Sequence, residues 1–385
     1  MTAETDVKSR AAEAFPPSSP TRIGAEVEWL VFDREDLRKP IPAEQAAGVA
    51  DGPLPAGGAI TIEPGGQVEL VTRPFPDPVE LVDAVAADTA ELVRRFQGHG
   101  LALVSLGLDP IRPPRRTLDA PRYEAMEKYF AARSPAGLQM MNLTASFQIN
   151  IGFGPNPSVT WRWAQAVAPV LMAAFANSPT TDGDAFQSAS CRQQIWAATD
   201  PTRTRPVCGG PENWATYVLN ANLMLRWRDH RIEPQLDELT FGECLQSSDP
   251  PTRGDLELHL TTLFPPLKPR GYLEVRMLDA LPASGRMAAT ATVWAVLTDP
   301  DVGDAAEAIC RAIPDAWCRA TQAGLDDPAV REAAAAVLDL AARASSATAP
   351  SLADACKTWR DERVLSPNPL KPVVQLVDRA REAVA

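Results

Sequence analysis

Two glutamates in an apolar, β-branched stretch are the first candidates for chemistry. Residues 22–32 predict a β-strand because they are rich in valine, isoleucine and aromatic side chains. Side chains alternate between the two faces of a strand, so Glu26 and Glu28 project to the same side, with backbones about 6.6 Å apart. Carboxylates this close repel each other unless a proton or a cation lies between them. A solvated strand face is the alternative, so the interpretation depends on other motifs.

A second pair of glutamates accompanies a predicted β-hairpin. Within residues 60–71, strand-like runs lie on both sides of Pro64-Gly65-Gly66, a combination typical of a tight turn. Glu63 lies at the edge of this turn, and Glu69 follows in the returning strand. The hairpin therefore offers two more carboxylates, although a plain surface hairpin is the alternative interpretation.

Two further predicted strands carry polar side chains on one face. In the strand predicted over residues 140–152, Ser146, Gln148 and Asn150 share a face that carries no charge. A solvent-facing strand more often carries lysine or glutamate, so this face is predicted to line a cavity. In the strand predicted over residues 272–278, Glu274 and Arg276 share a face, either as a structural ion pair or as part of a site.

Together these motifs favour a polymetal phosphate site. Carboxylates from several strands can bind Mg²⁺ ions, which in turn bind the phosphate oxygens of ATP. An arginine beside them can stabilise charge on a phosphoryl group in transfer. The sequence contains neither GxxxxGK[ST] nor GxGxxG, which argues against a P-loop or a Rossmann site.

Composition narrows the class of protein. The 385 residues include 45% hydrophobic and 22% charged residues, as in globular proteins, and a net charge of −12 argues against nucleic-acid or anionic-membrane partners. No apolar run approaches the roughly 20 residues of a membrane span. No signal peptide is recognisable, so a cytoplasmic location is expected. Six scattered cysteines predict reduced, mostly buried thiols, and three histidines without HExxH spacing disfavour a histidine-based zinc site.

The chain is predicted to form a short N-terminal lead-in, residues 1–20, and a single domain, residues 21–385, that is helical from about residue 285. A long loop is predicted over residues 38–58 and a strand over residues 217–226. A helix is predicted to begin after Asp77 and to end near Gly98. Seven residues are expected to form the buried stripe of this helix: Val79, Val82, Val85, Thr89, Leu92, Val93 and Phe96.

The order of the motifs resembles that of the glutamate–cysteine ligases, in the branch that contains the plant enzymes and the bacterial enzyme of ergothioneine biosynthesis. The resemblance covers roughly residues 20–300. It rests on five segments: Ile23 to Glu28, Glu63 to Glu69, Met140 to Gly152, His259 to Pro265 and Tyr272 to Arg276.

This resemblance implies an α+β fold like the catalytic part of glutamine synthetase, with a curved, mainly antiparallel sheet that forms a funnel and helices packed around it. It implies that ATP phosphorylates the γ-carboxylate of L-glutamate and that the amine of L-cysteine displaces phosphate. Arg276 matches the arginine that approaches the phosphates, and Gln148 and Asn150 lie on a strand that lines the cavity. Arg192 and Arg228 match positions that hold the α-carboxylate of glutamate. Five residues match magnesium-binding positions: Glu26, Glu28, Glu63, Glu69 and Glu274.

Two departures from the family pattern lie near expected substrate loops. Arg205 replaces the glycine of the usual Arg-Thr-Gly, and Thr180 replaces an aromatic residue. The amine acceptor is therefore the least determined feature. A ligase of the same fold with another acceptor is one alternative, and an inactive binding protein is another. The presence of all five carboxylates favours an enzyme. The sequence does not determine the oligomeric state.

Overall fold

The computed structural model describes residues 3–178 and 190–366, and its centre is an open, antiparallel sheet of seven strands. The strands follow the spatial order β2-β3-β1-β5-β9-β8, and β4 pairs with the far end of β1. Strands β6 and β7 form a separate ribbon. The bounds are β1 Ile23–Asp33, β2 Ala59–Ile62, β3 Val68–Val71, β4 Leu101–Val104, β5 Phe147–Ile151, β6 Leu225–Arg228, β7 Arg231–Pro234, β8 Leu267–Pro269 and β9 Leu273–Val275.

Strand β1 organises this sheet because it is long enough to pair with three neighbours, β3, β5 and β4. Ile23, Ala25 and Val27 are almost completely buried on one face, whereas Glu26 and Glu28 lie half-buried on the other. The alternation predicted along this strand thus separates the apolar core from the polar face of the sheet.

Helices cover the apolar face of the sheet and continue to the end of the described chain. Their bounds are α1 Glu4–Ala12, α2 Ala43–Ala50, α3 Pro78–Gly98, α4 Pro121–Ala131, α5 Pro135–Leu143, α6 Pro157–Ala174, α7 Cys191–Thr199, α8 Pro201–Thr204, α9 Asn213–Asn220, α10 Phe241–Leu245, α11 Arg253–Thr261, α12 Ala283–Thr298, α13 Pro300–Arg311, α14 Ala316–Gln322, α15 Pro328–Ser345 and α16 Pro350–Trp359. A short 3₁₀ turn at Gly324–Asp326 and a π turn at Arg360–Val364 complete the list.

Helices α3 and α12 pack against the sheet, and α6, α13, α15 and α16 pack around α12. The helical part expected from about residue 285 thus begins at Ala283, whereas the division into one domain stays a prediction.

The lead-in contains α1, whose Arg10 forms ion pairs with Glu13 and Glu257. Within the described residues, none of the six cysteines forms a disulfide bond. Within the described ranges, no helix combines the length and apolarity needed to cross a membrane.

Three local predictions were wrong. In each case the structure has a helix where the sequence predicted a strand or a loop. Residues 140–143 end α5, which begins with the Ser134 N-cap and Pro135 before the strand proper starts at Phe147. Residues 217–220 belong to α9. Their side chains favour a strand by propensity, but Tyr217 and Val218 are buried on one face of the helix together with Trp214. The predicted loop over residues 38–58 contains α2.

The helix predicted after Asp77 is present, and the Asp77 carboxylate accepts hydrogen bonds from the amides of Val79 and Glu80. Its buried face is rotated relative to the prediction, because Leu81, Ala84 and Asp88 lie inside. Four residues of the expected stripe are only half-buried: Val79, Val82, Thr89 and Val93.

Candidate active site

The antiparallel register places the predicted carboxylates and amides on the polar face of the sheet. Residues directly opposite each other in neighbouring strands have Cβ atoms about 5 Å apart. Three such pairs share this face: Glu28 with Glu69, Glu26 with Gln148, and Asn150 with Glu274. Glu26 and Glu274, which are 248 positions apart in the sequence, come to the same face because β5 pairs with β1 on one side and with β9 on the other.

A cavity of about 310 Å³ opens over this face and is lined by both acidic and basic side chains. We call it the acidic–basic cavity. Its acidic side comes from β1 and the β2–β3 hairpin and carries Glu26, Glu28, Glu63 and Glu69. Its basic side comes from α4, α7 and the β8–β9 region and carries Arg122, Arg192, Arg270 and Arg276. Such a separation of charge suits an anionic ligand that arrives together with cations.

The polar face of β5 holds the two glutamates of β1. Glu28 accepts hydrogen bonds from the Ser146 amide at 2.7 Å, from the Ser146 hydroxyl at 2.8 Å and from Gln148 Nε2 at 3.3 Å. Asn150 Nδ2 donates to Glu26 at 2.9 Å. Ser146 and Gln148 line the cavity, and Asn150 contacts it through Glu26.

Burial and mutual repulsion make Glu63 and Glu69 hold their protons tightly. Burial, followed by the charges of Glu28 and Glu26, raises the pKa of Glu63 to about 7. Burial, Glu28 and Glu63 raise the pKa of Glu69 to about 9, and a hydrogen bond from Thr61 opposes this shift. A cation among these oxygens would remove the repulsion and favour full ionisation.

The donor set fits magnesium, because Mg²⁺ prefers carboxylate oxygens. Within residues 3–178 and 190–366, no group of three or more acidic, histidine or cysteine side chains is already arranged to hold a metal ion. The carboxylates are instead held by hydrogen-bond donors of the protein, as for Glu28 and Glu69. The assignment of Mg²⁺ to Glu26, Glu28, Glu63, Glu69 and Glu274 therefore stays a prediction.

Without magnesium, the free energy of unfolding is expected to fall as the pH rises through the neutral range. The pKa values of Glu63 and Glu69 in the folded protein, about 7 and about 9, exceed the ordinary value of 4.5. The folded state therefore binds more protons than the unfolded state, and stability is lost from about pH 4.5 upwards until both groups are ionised. Thermal unfolding at a series of pH values should reveal this slope. Added Mg²⁺ should flatten it, and Glu69→Gln should reduce it between pH 7 and pH 9. A metal-free protein whose stability is constant or rises over this range would contradict the prediction.

Glu274 and Arg276 form the ion pair that their shared strand face predicted. Arg276 Nη1 donates to Glu274 at 3.0 Å and to Gln148 Oε1 at 2.7 Å, and Arg270 Nη1 donates to Glu274 at 3.1 Å. Glu274 is only 1% exposed. Burial alone would raise its pKa, but Arg276, Lys268 and Arg270 lower it below the ordinary value. Glu274 thus orients two arginines of the cavity.

Arg192 presents hydrogen-bond donors that no described residue accepts. It is 3% exposed and lines the cavity, and its Nη2 donates to the Arg276 carbonyl oxygen at 3.1 Å. Nη1 lies 4.0 Å from Asp279 Oδ1, beyond hydrogen-bond distance. Within residues 3–178 and 190–366, Nε and Nη1 have no hydrogen-bond partner. A buried guanidinium with free donors is suited to bind a carboxylate.

The structure does not bring Arg228 to this cavity. Arg228 lies at the end of β6, where Nη2 forms an ion pair with Asp249 at 2.6 Å and Nη1 donates to the Trp227 carbonyl oxygen. The ribbon of β6 and β7 is separate from the main sheet. The association of Arg228 with Arg192 therefore rests only on the match to the family motif. We therefore do not include Arg228 in the site.

Three residues that position the site were not identified from the sequence. Arg270 lies two residues before the predicted strand 272–278, and extending its alternation backwards would have placed it on the face of Glu274. Arg122, in the first turn of α4, carries no comparable signal. Asp279 is fully buried and accepts hydrogen bonds from the hydroxyls of Ser178 and Ser190, which hold the start of α7 and hence Arg192.

Two residues of the family motifs have structural roles. His259 is fully buried, with Nε2 2.9 Å from the Val218 carbonyl oxygen, and burial lowers its pKa to about 3, so it is neutral. Arg203 is also fully buried and forms an ion pair with Asp200. Of the two departures from the family pattern, Arg205 is exposed, with its guanidinium 5.9 Å from the centre of the Tyr217 ring, and Thr180 lies outside the described residues.

Comparisons with known proteins agree with this arrangement. The model of glutamate–cysteine ligase family 2 (GCS2) matches residues 22–362. The chain is 39% identical over 344 residues to glutamate–cysteine ligase EgtA of Mycolicibacterium smegmatis, covering 85% of this chain and 81% of the relative. It is 35% identical over 342 residues to EgtA of Mycobacterium tuberculosis H37Rv, covering 84% and 79%. The chloroplastic glutamate–cysteine ligase of Brassica juncea is 28% identical over 295 residues, covering 72% and 56%.

Among solved structures, the glutamate–cysteine ligase gshA of Francisella tularensis in complex with AMP superposes with a TM-score of 0.60 at 12% identity, covering 96% of this chain and 87% of that one. This similarity confirms the predicted fold class, an α+β ligase fold with a mainly antiparallel sheet and packed helices. The match over residues 22–362 and the identity to the EgtA enzymes show that the chain belongs to glutamate–cysteine ligase family 2.

Proposed function

We propose that this enzyme joins the γ-carboxylate of L-glutamate to the amine of L-cysteine in an ATP-dependent reaction. The observation that carries the proposal is the acidic–basic cavity, where four glutamates and four arginines line one space over the polar face of the sheet. Glutamate and ATP are both anionic and repel each other, so positively charged groups are needed to hold them close enough to react. Membership of the ligase family supports the same reaction.

Magnesium would be held by the acidic side of the cavity, with Glu26, Glu28, Glu63 and Glu69 as oxygen donors and with Glu274 behind Arg276. When bound, Mg²⁺ polarises the phosphate oxygens of ATP and neutralises their charge. Ser146, Gln148 and Asn150 orient the carboxylates of β1 by the hydrogen bonds described above.

The basic side of the cavity would bind the reacting groups. An oxygen of the glutamate γ-carboxylate attacks the γ-phosphorus of ATP, and ADP leaves with the electron pair of the broken P–O bond. Arg276, held by Gln148 and Glu274, would stabilise the charge on the phosphoryl group in transfer. Arg192 would bind the α-carboxylate of glutamate through the second N–H of Nη2 together with Nε or Nη1, the two nitrogens for which no described residue is an acceptor.

In the second step the neutral amine of cysteine attacks the γ-carbonyl carbon of γ-glutamyl phosphate. Phosphate leaves with the electron pair of the C–O bond, and the nitrogen loses a proton to the departing phosphate, which gives γ-glutamylcysteine and hydrogen phosphate. Five apolar residues line one part of the same cavity: Met126, Met140, Met141, Trp196 and Phe264. A short thiol side chain suits such a lining, since sulfur and aromatic groups attract each other. A charged acceptor side chain would lose its water of hydration against these apolar side chains.

The test is to measure ADP and phosphate release by the purified protein with ATP, Mg²⁺ and L-glutamate while the amine acceptor is varied. L-cysteine should give the highest kcat/KM, with γ-glutamylcysteine as the product found by mass spectrometry. L-serine and L-alanine should be weaker, and L-aspartate should be inactive. A higher kcat/KM with an acceptor other than cysteine would establish the alternative ligase. ATP and glutamate binding without phosphate release under any of these conditions would establish a binding protein.

Supply of γ-glutamylcysteine for ergothioneine biosynthesis is part of the same proposal. It is supported by the resemblance to that branch of the family and by the identity to the two mycobacterial EgtA enzymes. In a source strain that lacks this protein, ergothioneine should disappear and should return when γ-glutamylcysteine is supplied. Unchanged ergothioneine would separate this pathway role from the ligase activity itself.

A further inference from the structure

A second cavity, of about 230 Å³, lies on the apolar side of the sheet and is almost entirely hydrophobic. It is formed by α3 and α12 over β5, with Val82 and Val85 from α3 and Met287 from α12 in its walls. Phe147 contributes from β5, where it alternates with Ser146 and Gln148 of the acidic–basic cavity. Because successive side chains of a strand point to opposite faces, the two cavities lie on opposite sides of the sheet.

Arg286 is the one charged residue among the described residues that line this hydrophobic cavity. It is 7% exposed, its Nη1 donates a hydrogen bond to the Leu281 carbonyl oxygen at 2.7 Å, and its guanidinium carbon lies 5.7 Å from the centre of the Trp29 ring. No Asp or Glu of the described chain forms an ion pair with it. A guanidinium carries five N–H donors, and among the described residues only the Leu281 carbonyl oxygen accepts a hydrogen bond from Arg286. A buried charge in this condition is costly unless an anion accompanies it.

The start of α12 adds a second, independent feature that favours an anion. This helix has 16 residues, and Pro282 at its N-cap provides no side-chain hydrogen bond to the first amides. No acidic residue lies in its first turn, and Ala283 at its first position lines the cavity. A helix N-terminus carries partial positive charge, so Arg286 within this turn increases the local positive potential instead of balancing it.

We propose that this cavity binds a small monocarboxylate with an apolar body, such as a medium-chain fatty acid. The carboxylate would pair with Arg286 near the start of α12, and the hydrocarbon would lie between α3 and α12 on Val82, Val85 and Met287. The half-buried side chains of Val82 and Thr89 and the exposed Ala86 and Ala90 leave the α3 side of the cavity open for entry. This inference does not rest on the proposed function, because the two sites share no lining residue.

The test is isothermal titration calorimetry of the full-length protein with octanoate as the probe. Octanoate should bind in a saturable manner with one site per chain, whereas acetate, which lacks the apolar body, should not bind. Arg286→Met keeps the length and apolarity of the side chain but removes its charge. It should weaken octanoate binding roughly tenfold to a hundredfold, which corresponds to the free energy of hydrogen bonds that involve a charged group. Binding of neutral 1-octanol should be unchanged.

Ala86→Phe provides the matched control, because Ala86 is exposed and a larger side chain there fills the opening without disturbing the core. This variant should lose both octanoate and octanol, and it keeps the test decisive if Arg286→Met does not fold. Saturating ATP and glutamate should leave octanoate binding unchanged. Absence of saturable octanoate binding, equal binding by Ala86→Phe, or competition with ATP would each overturn the proposal.

Discussion

Arg276→Ala is expected to lower kcat by about 10²-fold or more, which is the loss typical of removing one hydrogen-bond donor that stabilises charge in a transition state. Arg276 lies in the wall of the acidic–basic cavity, and its Nη1 donates hydrogen bonds to both Gln148 and Glu274. A donor held in place before the reaction stabilises the transferring phosphoryl group without reorganisation. The KM for ATP should change less, because the variant leaves intact the acidic side of the cavity, which on the proposed function would still hold the nucleotide through metal ions. Steady-state kinetics with ATP as the varied substrate measures both quantities.

The control for Arg276→Ala is a titration with Mg²⁺. Glu274 contacts Arg276 directly, so the variant could act by disturbing metal binding. If excess Mg²⁺ restores activity, Arg276 only organises the metal site. Arg270→Ala removes the other arginine that contacts Glu274, and its side chain is 60% exposed, so its effect on kcat should be smaller. A near-normal kcat in Arg276→Ala at ordinary Mg²⁺ would rule out a catalytic role.

The sequence predicted the site best where one strand positions its own side chains. Alternation along β1 requires Glu26 and Glu28 to share a face, and the same rule pairs Glu274 with Arg276. The Pro-Gly-Gly turn determines the hairpin that returns Glu69 to the sheet, where it lies opposite Glu28. These are local constraints of a few residues, and they are insensitive to the rest of the fold.

Predictions were poorer where the decisive contacts are distant in sequence. The apolar residues of α3 indicated a helix, but the face that is buried depends on β1, β4 and α12. Residues 217–220 have strand-forming side chains and yet form a helix, because Tyr217 and Val218 bury one face against the core. Arg228 follows a family motif, but its ribbon lies apart from the main sheet. Such placements depend on tertiary packing, which local propensity does not contain.

Arg192→Lys is expected to raise the KM for glutamate roughly tenfold to a hundredfold while the KM for ATP changes little. The guanidinium of Arg192 has two nitrogens, Nε and Nη1, whose N–H groups no described residue accepts, and either of them can form, together with the second N–H of Nη2, two parallel hydrogen bonds to one carboxylate. Lysine keeps the positive charge but is a point donor that cannot reproduce the two parallel hydrogen bonds. The expected loss corresponds to hydrogen bonds that involve charged groups. Initial rates with glutamate as the varied substrate, at saturating ATP and cysteine, measure the change.

Arg228→Lys is the matched control, because both variants replace arginine by lysine and only Arg192 lines the cavity. Arg228 lies in an ion pair with the exposed Asp249, and surface pairs of this kind contribute little to stability. The variant should therefore retain the glutamate KM of the original protein. Arg192 also lies beside the buried Asp279, so a melting curve must show that Arg192→Lys is folded. If Arg228→Lys raised the glutamate KM while a folded Arg192→Lys did not, the family motif would be the better guide to the glutamate site than the geometry of the cavity.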